Sequence, residues 1–330
     1  MSELEIEKIL IEIKKLETHF SAPVLLLYTP SMVDFTADIT HAVLDSVEKQ
    51  LIKIKKYYKI SIDKKVPKIV VALSSSGGNF PTIINLNKLL RENAERYEVL
   101  ILDRAFSAAT LLALLADKII GSQQALLSTF SPLVSNFMNP NQRAVAISDI
   151  ELLLSNQFDD KTKVAFIEKL YQEIDPICIA QALRAKRQIE KAVENRYLSS
   201  DGNTSTLEKI YKLFLDSSIS HNQLLIFRDI DIPCVHKEFL SLTMEETCSN
   251  LIELLNKAAL PFPPQELVNF FSTSPENSLQ FHLHLYFVVS QAGRITSLRR
   301  DCISTFSGDK QKVTLPEISV KLSTPYCWNF

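Results

Sequence analysis

Residues 68–121 read KIVVALSSSGGNFPTIINLNKLLRENAERYEVLILDRAFSAATLLALLADKIIG, and the order of elements in this stretch decides the fold. Residues 68–73 (KIVVAL), apolar without a break after Lys68, are of strand length and fit a strand buried on both faces. The turn Ser74-Ser75-Ser76-Gly77-Gly78-Asn79 follows. Pro81 then stands in the first turn of a helix that the spacing carries to about Tyr97. The unit repeats at once: 98–102 predicts a strand, 103–106 a turn, 107–116 a helix and 118–120 another strand. Glycine is scarce, with six in the whole chain, yet Gly77 and Gly78 are adjacent and Gly121 closes the stretch. Doubling so rare a residue at one turn points to backbone conformations that other residues resist.

Working outward, residues 3–18 alternate charge with Leu and Ile at helical spacing and predict an amphipathic helix. Residues 23–28 (PVLLLY) form another short buried strand. In 38–57, Ile39, Val43, Leu44, Val47, Leu51 and Ile54 recur mostly in steps of three and four, which predicts a helix. Three strand–helix units at roughly 30-residue spacing predict right-handed crossovers and a mostly parallel sheet. Ligands bind at the carboxyl ends of such strands, where the Gly77-Gly78 turn and Ser107 both fall. Beyond Ser131-Pro132 the pattern predicts helices at 142–157 and 161–198, the second interrupted at Asp175-Pro176. A loop at 197–206, a helix at 207–216 and a short strand and turn in 226–235 follow. The rest predicts a helix at 244–258, a break at Pro261, Pro263 and Pro264, and a strand at 281–289. The expected organisation is an N-terminal helix (1–20), an α/β domain (21–235) with a helical arm (161–216), and a C-terminal α+β extension (236–330).

Composition narrows the function classes. Hydrophobic residues at 46% and charged residues at 22% allow a large soluble core. A net charge of −2 supplies no field for recruiting nucleic acid or anionic membrane. The basic stretch 55–68 reads as a solvated helix end and loop, without an aromatic platform for bases. Cys178, Cys234, Cys248, Cys302 and Cys327 lack metal or redox spacing and read as free thiols of a reducing compartment. Residues 1–16 lack the apolar core of a signal peptide. The most apolar run, 108–120, is broken by Asp117-Lys118 and too short to span a bilayer. The expectation is a cytoplasmic protein with no membrane span, nucleic-acid partner or cofactor.

The chemistry-bearing candidate is Ser107, in Ala105-Phe106-Ser107-Ala108-Ala109-Thr110 at a strand-to-helix turn. A serine hydroxyl is a weak nucleophile that needs activation and an oxyanion site. A helix N-terminus offers free N–H groups and a positive dipole end. The Ala108 N–H can serve as one oxyanion donor, and the Gly77-Gly78 turn on the neighbouring strand can bring a second. The competing structural reading is a plain N-cap serine. Phosphate loops of the GxxxxGK[ST] and GxGxxG types are absent.

An ordered set of motifs extends this reading. It comprises Leu73-Ser74-Ser75-Ser76-Gly77-Gly78, Ala105 to Thr110, Ala116-Asp117-Lys118-Ile119-Ile120-Gly121-Ser122 and Leu127-Ser128-Thr129-Phe130-Ser131-Pro132. Together these resemble the serine dehydrogenase proteinase family, Clp/crotonase-fold serine peptidases related to signal peptide peptidases and ClpP. The family pattern reads roughly HTPGG, A-x-SAGT, a-D-x-I-x-M-G and LGPIDPQ. Downstream, Asp175-Pro176, Ala182-Leu183-Arg184 and Ser220-His221 before Ile226 are similar as well, so the likeness covers about 20–235. It implies a Clp/crotonase-like, mostly parallel sheet with flanking helices, and a peptide or protein substrate. It also implies a homo-oligomer, trimer or hexamer, with the apolar faces of 161–198 as interface. Ser107 would be the nucleophile, and Gly77, Gly78 and Ala108 would line the oxyanion and substrate site. Three departures stand out. The turn proline is replaced at Ser76, the glycine of SAGT is Ala109, and IDPQ has become Phe130-Ser131-Pro132-Leu133. They leave a second expectation, a non-catalytic relative that binds peptides or acts as a scaffold. A third is crotonase-type acyl-CoA chemistry, since paired backbone donors suit a thioester enolate.

The base stays open between a histidine and a lysine. His221 falls at the family-like Ser-His position and is the leading candidate. Lys118, Lys161 and Lys163 are the lysine possibilities, and Asp103 and Asp117 lie close to Ser107 in sequence. Asp117, at a helix end, reads as fixing the following turn. His282 and His284 alternate on one strand face but lack a third ligand, so no metal site is expected.

Overall fold

A computed structural model describes residues 3–32, 35–36, 39–134, 145–155, 159–201, 204–216, 223–232, 235–259, 279–292 and 294–304. The chain begins α1 (Glu3–Phe20), β1 (Val24–Tyr28), a small hairpin of β2 (Ser31–Met32) and β3 (Phe35–Thr36), then α2 (His41–Tyr57). The deciding stretch forms β4 (Val66–Ser75), α3 (Phe80–Asn93), β5 (Ala94–Ala105), α4 (Ala108–Leu115) and β6 (Lys118–Gly121), followed by β7 (Leu126–Ser128). An arm follows: β8 (Leu133–Val134), β9 (Val145–Ala146), α5 (Ile147–Ser155), α6 (Asp160–Glu173), α7 (Pro176–Asp201) and α8 (Thr204–Ile210), which runs into a π-helical turn, Tyr211–Leu215. The remainder is β10 (Leu224–Ile226), a 3-10 turn (Phe227–Asp229), β11 (Lys237–Phe239), α9 (Leu242–Ala259), β12 (Leu279–Ser290) and β13 (Arg294–Ser304).

Nine of these strands form one sheet, in the order β10-β7-β5-β4-β1-β12-β13, with β6 and then β11 branching from β5. The pairs β1–β4, β4–β5, β5–β6, β5–β7 and β6–β11 are parallel, and β1–β12, β12–β13 and β7–β10 antiparallel. The fold is therefore α/β, with a mixed, mostly parallel sheet flanked by helices. Strand alternation divides its side chains between two cores. Leu25, Leu27, Val71, Leu73, Val99 and Ile101 face α2, α3, α4 and α7. Val24, Leu26, Val70, Ala72, Leu100 and Leu102 face α1 and α9. Both covering helices carry the matching apolar stripe, Ile9, Ile13 and Leu16 on α1 and Met244, Cys248, Leu251 and Leu255 on α9. The segment after 235 joins this sheet directly, because β12 pairs with β1 and β11 with β6.

Helix α4 is apolar on every side and buried at every residue, so its hydrophobicity belongs to the core. No helix among the described residues is long and apolar enough to cross a membrane. Cys178 and Cys248 are free thiols, and burial pushes the Cys248 thiol up to about 12, far from a reactive thiolate.

Several boundaries differ from those read in the sequence. The helix expected to reach Tyr97 stops at Asn93, and the strand begins at Ala94. Tyr97 is pulled into the sheet opposite Ile69, its hydroxyl donating to Asn87 Oδ1 at 2.6 Å. The loop expected at 197–206 is largely helix, because α7 continues to Asp201 and α8 starts at Thr204. There the buried Tyr197 hydroxyl donates to the Leu114 carbonyl at 2.6 Å, a tertiary anchor that overrides the turn-forming residues after it. The interruption at Asp175-Pro176 is present, with Asp175 Oδ1 accepting the Ile177 N–H at 2.8 Å and Pro176 opening α7. Residues 145–146 are strand, and the helix of that segment starts at Ile147. The proline-rich break lies outside the described residues.

Asp117, after α4, shows how the amino ends of the strands are tied. Its carboxylate accepts both Oδ contacts from Arg91 Nη1 at 2.8 Å and the Tyr97 N–H at 2.9 Å, with Arg196 Nη2 at 3.5 Å. Removing this carboxylate leaves the Tyr97 N–H without its acceptor and takes the ion-pair partner from two guanidinium groups, which keep their bonds to the Leu115 and Ala116 carbonyls and their aromatic contacts. Asp117→Ala is expected to lower unfolding free energy by about 2–4 kcal/mol. Denaturant titration checks this, and a change under about 0.5 kcal/mol would mean the network carries little.

Candidate active site at the Ser107 elbow

The end of β5 is held on both sides. Ser75 of β4 pairs with Ala105, and Leu127 of β7 pairs with the same residue from the opposite edge. The Phe106 N–H donates to the Ser75 carbonyl at 3.0 Å, and the chain then reverses into α4 at Ser107. Ser107 takes φ +50° and ψ −120°, a conformation that non-glycine residues rarely adopt. Such strain costs about 1–3 kcal/mol and persists only where the surroundings over-determine it.

Those surroundings are identifiable. The Ser107 N–H donates to Ser128 Oγ at 2.7 Å, and Ser128 Oγ donates onward to the Thr129 carbonyl at 2.9 Å. Thr110 Oγ1 donates to the Ala105 carbonyl at 2.5 Å and accepts the Ser128 N–H at 3.2 Å. Below the turn, Ser75 Oγ accepts from Thr29 Oγ1 at 2.8 Å and from the Gly77 N–H at 3.1 Å. Each turn is thus braced by its own buried hydroxyls, and the Phe106 N–H to Ser75 carbonyl bond joins the two.

Both glycines are required where they stand. A Cβ on Gly77 (φ +119°) would lie 2.9 Å from the Phe106 carbonyl oxygen and 3.0 Å from Ser107 Cβ. On Gly78 (φ +149°) it would lie 2.5 Å from the backbone N and O of Ile39. Ile39 bridges this turn in parallel, donating to the Gly77 carbonyl at 2.9 Å and accepting from the Asn79 N–H at 3.1 Å. Asn79 then caps α3, its side chain accepting the Thr82 N–H at 3.1 Å.

What this leaves uncommitted is informative. Ser107 Oγ makes no capping bond to α4, so the plain N-cap reading fails. Among the described residues Ser107 Oγ, the Ala108 N–H and the Gly78 N–H have no hydrogen-bond partner, while the Gly77 N–H is consumed by Ser75. A half-exposed hydroxyl thus stands at the same turn as the Ala108 N–H, and the glycine turn that carries the Gly78 N–H packs against it through Gly77. Ala108 and Gly78, and not Gly77, are the residues able to donate. The Ala109 methyl is fully buried in the core on α4, so it does not narrow the approach to Ser107. Phe130 is buried too, stacked on Phe214 at 5.7 Å between ring centroids, and Ser131 Oγ accepts the Ser148 N–H at 3.2 Å. Phe130 and Ser131 are therefore used for packing and backbone support here.

The base candidates separate. His221 lies outside the described residues. Lys118 pairs with Glu238 at the amino end of the sheet, opposite Glu98 of β5. That places it roughly 20 Å from the elbow at about 3.3 Å per strand residue, too far to act as the base. Asp117 belongs to that same end. Asp103 is occupied by Arg104, accepting its N–H at 2.7 Å and Nη1 at 3.1 Å. Lys161 is exposed and Lys163 half-buried on α6 of the arm. His282 and His284 sit on β12 opposite Asp301 and Arg299, and no metal-ligating group of three is found among the described residues. Sequence reasoning missed Ser128 and Thr110. The signal available was a serine in the Leu127–Pro132 motif, and nothing in its spacing pointed to the Ser107 backbone. No family model and no curated protein matches this chain.

Proposed function

We propose that this chain is a serine peptidase-like hydrolase of the Clp fold, with Ser107 as nucleophile. The observation that supports it most is the strained Ser107 backbone joined to a hydroxyl that caps nothing. A serine spends strain in this way when its Oγ must be presented above a sheet. In the proposed step Ser107 Oγ attacks an amide carbonyl carbon as a base removes its proton. The negative oxygen of the tetrahedral intermediate is held by the Ala108 and Gly78 N–H groups. The same base returns the proton to the leaving amine, and water then releases the acyl group from Ser107. The resemblance assigns the base to His221 and the substrate to a peptide, and it implies a trimer or hexamer, which sedimentation velocity tests.

A fluorophosphonate probe tests the nucleophile: Ser107 is expected to be the labelled residue of folded protein at neutral pH. Complete failure to label would remove the hydrolase reading. A second reading, a peptide-binding scaffold, is supported by the departures from the family pattern at Ser76, Ala109 and 130–133. Full retention of cellular function by Ser107→Ala would select it.

Ser128 provides a sharper check. Ser128→Ala leaves the Ser107 N–H without its acceptor and is expected to slow labelling about 10-fold or more, with a stability loss of about 1–3 kcal/mol. Ser128→Thr keeps the hydroxyl and should recover most of the rate. Equal rates in all three proteins would show that Ser128 does not hold the elbow.

A further inference from the structure

A second cleft opens at the other end of the sheet, at the amino ends of β1 and β4. Its volume is about 370 Å³, and Pro23, Tyr58, Ile60, Val66 and Pro67 give it apolar and aromatic walls. The charged groups lining it are Glu17, Lys14 and Lys68. Glu17 is the unusual member. It is 5% exposed, its Oε1 accepts the Val24 N–H at a long 3.3 Å, and its Oε2 is shut off from water without a close hydrogen bond, the Tyr58 hydroxyl and the Lys14 ammonium being the donors that stand beside the carboxylate. Burial pushes this carboxyl above its ordinary value. The Lys14 ammonium stands 3.7 Å from Oε2, beyond hydrogen-bond distance, on a side chain 59% exposed that costs little to move. Lys68 meets its partner Glu98 only loosely, at 3.9 Å.

A buried carboxylate whose donors stand off is under-compensated for its loss of water, so this site favours a closer cationic or neutral N–H donor. A simple cation would meet two ammonium groups, and a simple anion would meet Glu17. A ligand carrying both charges satisfies all three. We propose that this cleft binds a free α-amino acid with an apolar side chain. Its ammonium displaces Lys14 and donates to Glu17 Oε2, its carboxylate accepts from Lys14 and Lys68, and its side chain lies along Val66, Pro67 and Ile60. The site is independent of Ser107, which lies at the carboxyl end of the same sheet.

Calorimetric titration of the full chain with L-leucine and L-phenylalanine tests this. Saturable binding is expected, weakened about 10-fold or more for isoamylamine, which lacks the carboxylate, and for 4-methylvalerate, which lacks the ammonium. Glu17→Gln and Lys68→Met should each lose a similar factor. Affinity should also fall as pH drops through the raised Glu17 value, since the carboxylate then takes up a proton and can no longer accept from the ligand's ammonium. Absence of saturable binding, or unchanged binding by Glu17→Gln, overturns the proposal. Should that variant fail to fold, amide shifts in the wild-type protein decide: changes centred on Glu17, Tyr58 and 66–68 support it, and changes elsewhere overturn it.

Glu17 makes a separate stability prediction. Its carboxyl is raised above 4.5 in the folded chain, so its contribution is fully present below that pH and is lost as pH rises through the folded value. Glu17→Gln is expected to match the wild-type Tm in acid and exceed it at neutral pH without ligand. A lower Tm at neutral pH would show that the carboxylate is better satisfied than its contacts indicate.

Discussion

Ser107→Ala is expected to abolish fluorophosphonate labelling and to lower hydrolysis of a fluorogenic peptide library by roughly 10⁴-fold or more. The hydroxyls of Ser128, Thr110 and Ser75 beside the elbow are committed to the Thr129 carbonyl, the Ala105 carbonyl and Thr29 with the Gly77 N–H, and are not free to substitute. Ser107→Gly should be equally inactive, yet differ in stability. Glycine accepts φ +50° at little cost, whereas alanine keeps the strain, so the glycine variant should be about 1 kcal/mol the more stable of the two. Denaturant titration separates them. Residual turnover close to wild type in both would move the chemistry away from Ser107. Equal stability would mean the elbow relaxes when the hydroxyl is gone.

The second large effect is expected at Gly78. A methyl group there would sit 2.5 Å from the backbone N and O of Ile39 and would have to be carried at φ +149°. No flexible side chain can yield, so the 77–79 turn must pull away from Ile39 and lose the two backbone bonds that join them. Gly78→Ala is expected to destabilise the fold by about 3–5 kcal/mol, near the upper end for a single substitution. The same displacement would carry the Gly78 N–H away from Ser107, so a folded fraction should label at least about 10² times more slowly. Gly77→Ala meets a carbonyl oxygen at 2.9 Å and Ser107 Cβ at 3.0 Å, and should show the milder stability loss with a comparable loss of labelling. Wild-type melting and labelling in Gly78→Ala would show that the turn has room the geometry does not display.

The central units were legible because they depend on short-range physics. An apolar run such as 68–73 can only be buried, and the paired glycines mark a turn whose positive φ values exclude side chains. Where local signals competed with tertiary ones, the tertiary ones won: Tyr97 entered the strand through Asn87 and Asp117, and Tyr197 kept α7 helical past a turn-like sequence. The position of β11 and β12 in the same sheet could not be read, since their partners β6 and β1 are more than 100 residues away in the chain.

At the elbow the division is the same. Sequence alone determined that a serine stands between a strand and an apolar helix, one strand away from a glycine pair, because periodicity and turn chemistry are encoded locally. Only the tertiary structure decided that this serine is strained, that its hydroxyl caps nothing, and that Ser128 holds its N–H while Gly78 and Ala108 keep theirs. Those outcomes depend on strands β4, β5 and β7 meeting at Ala105, and hydrogen bonds between residues brought together by a sheet leave no mark in their spacing along the chain.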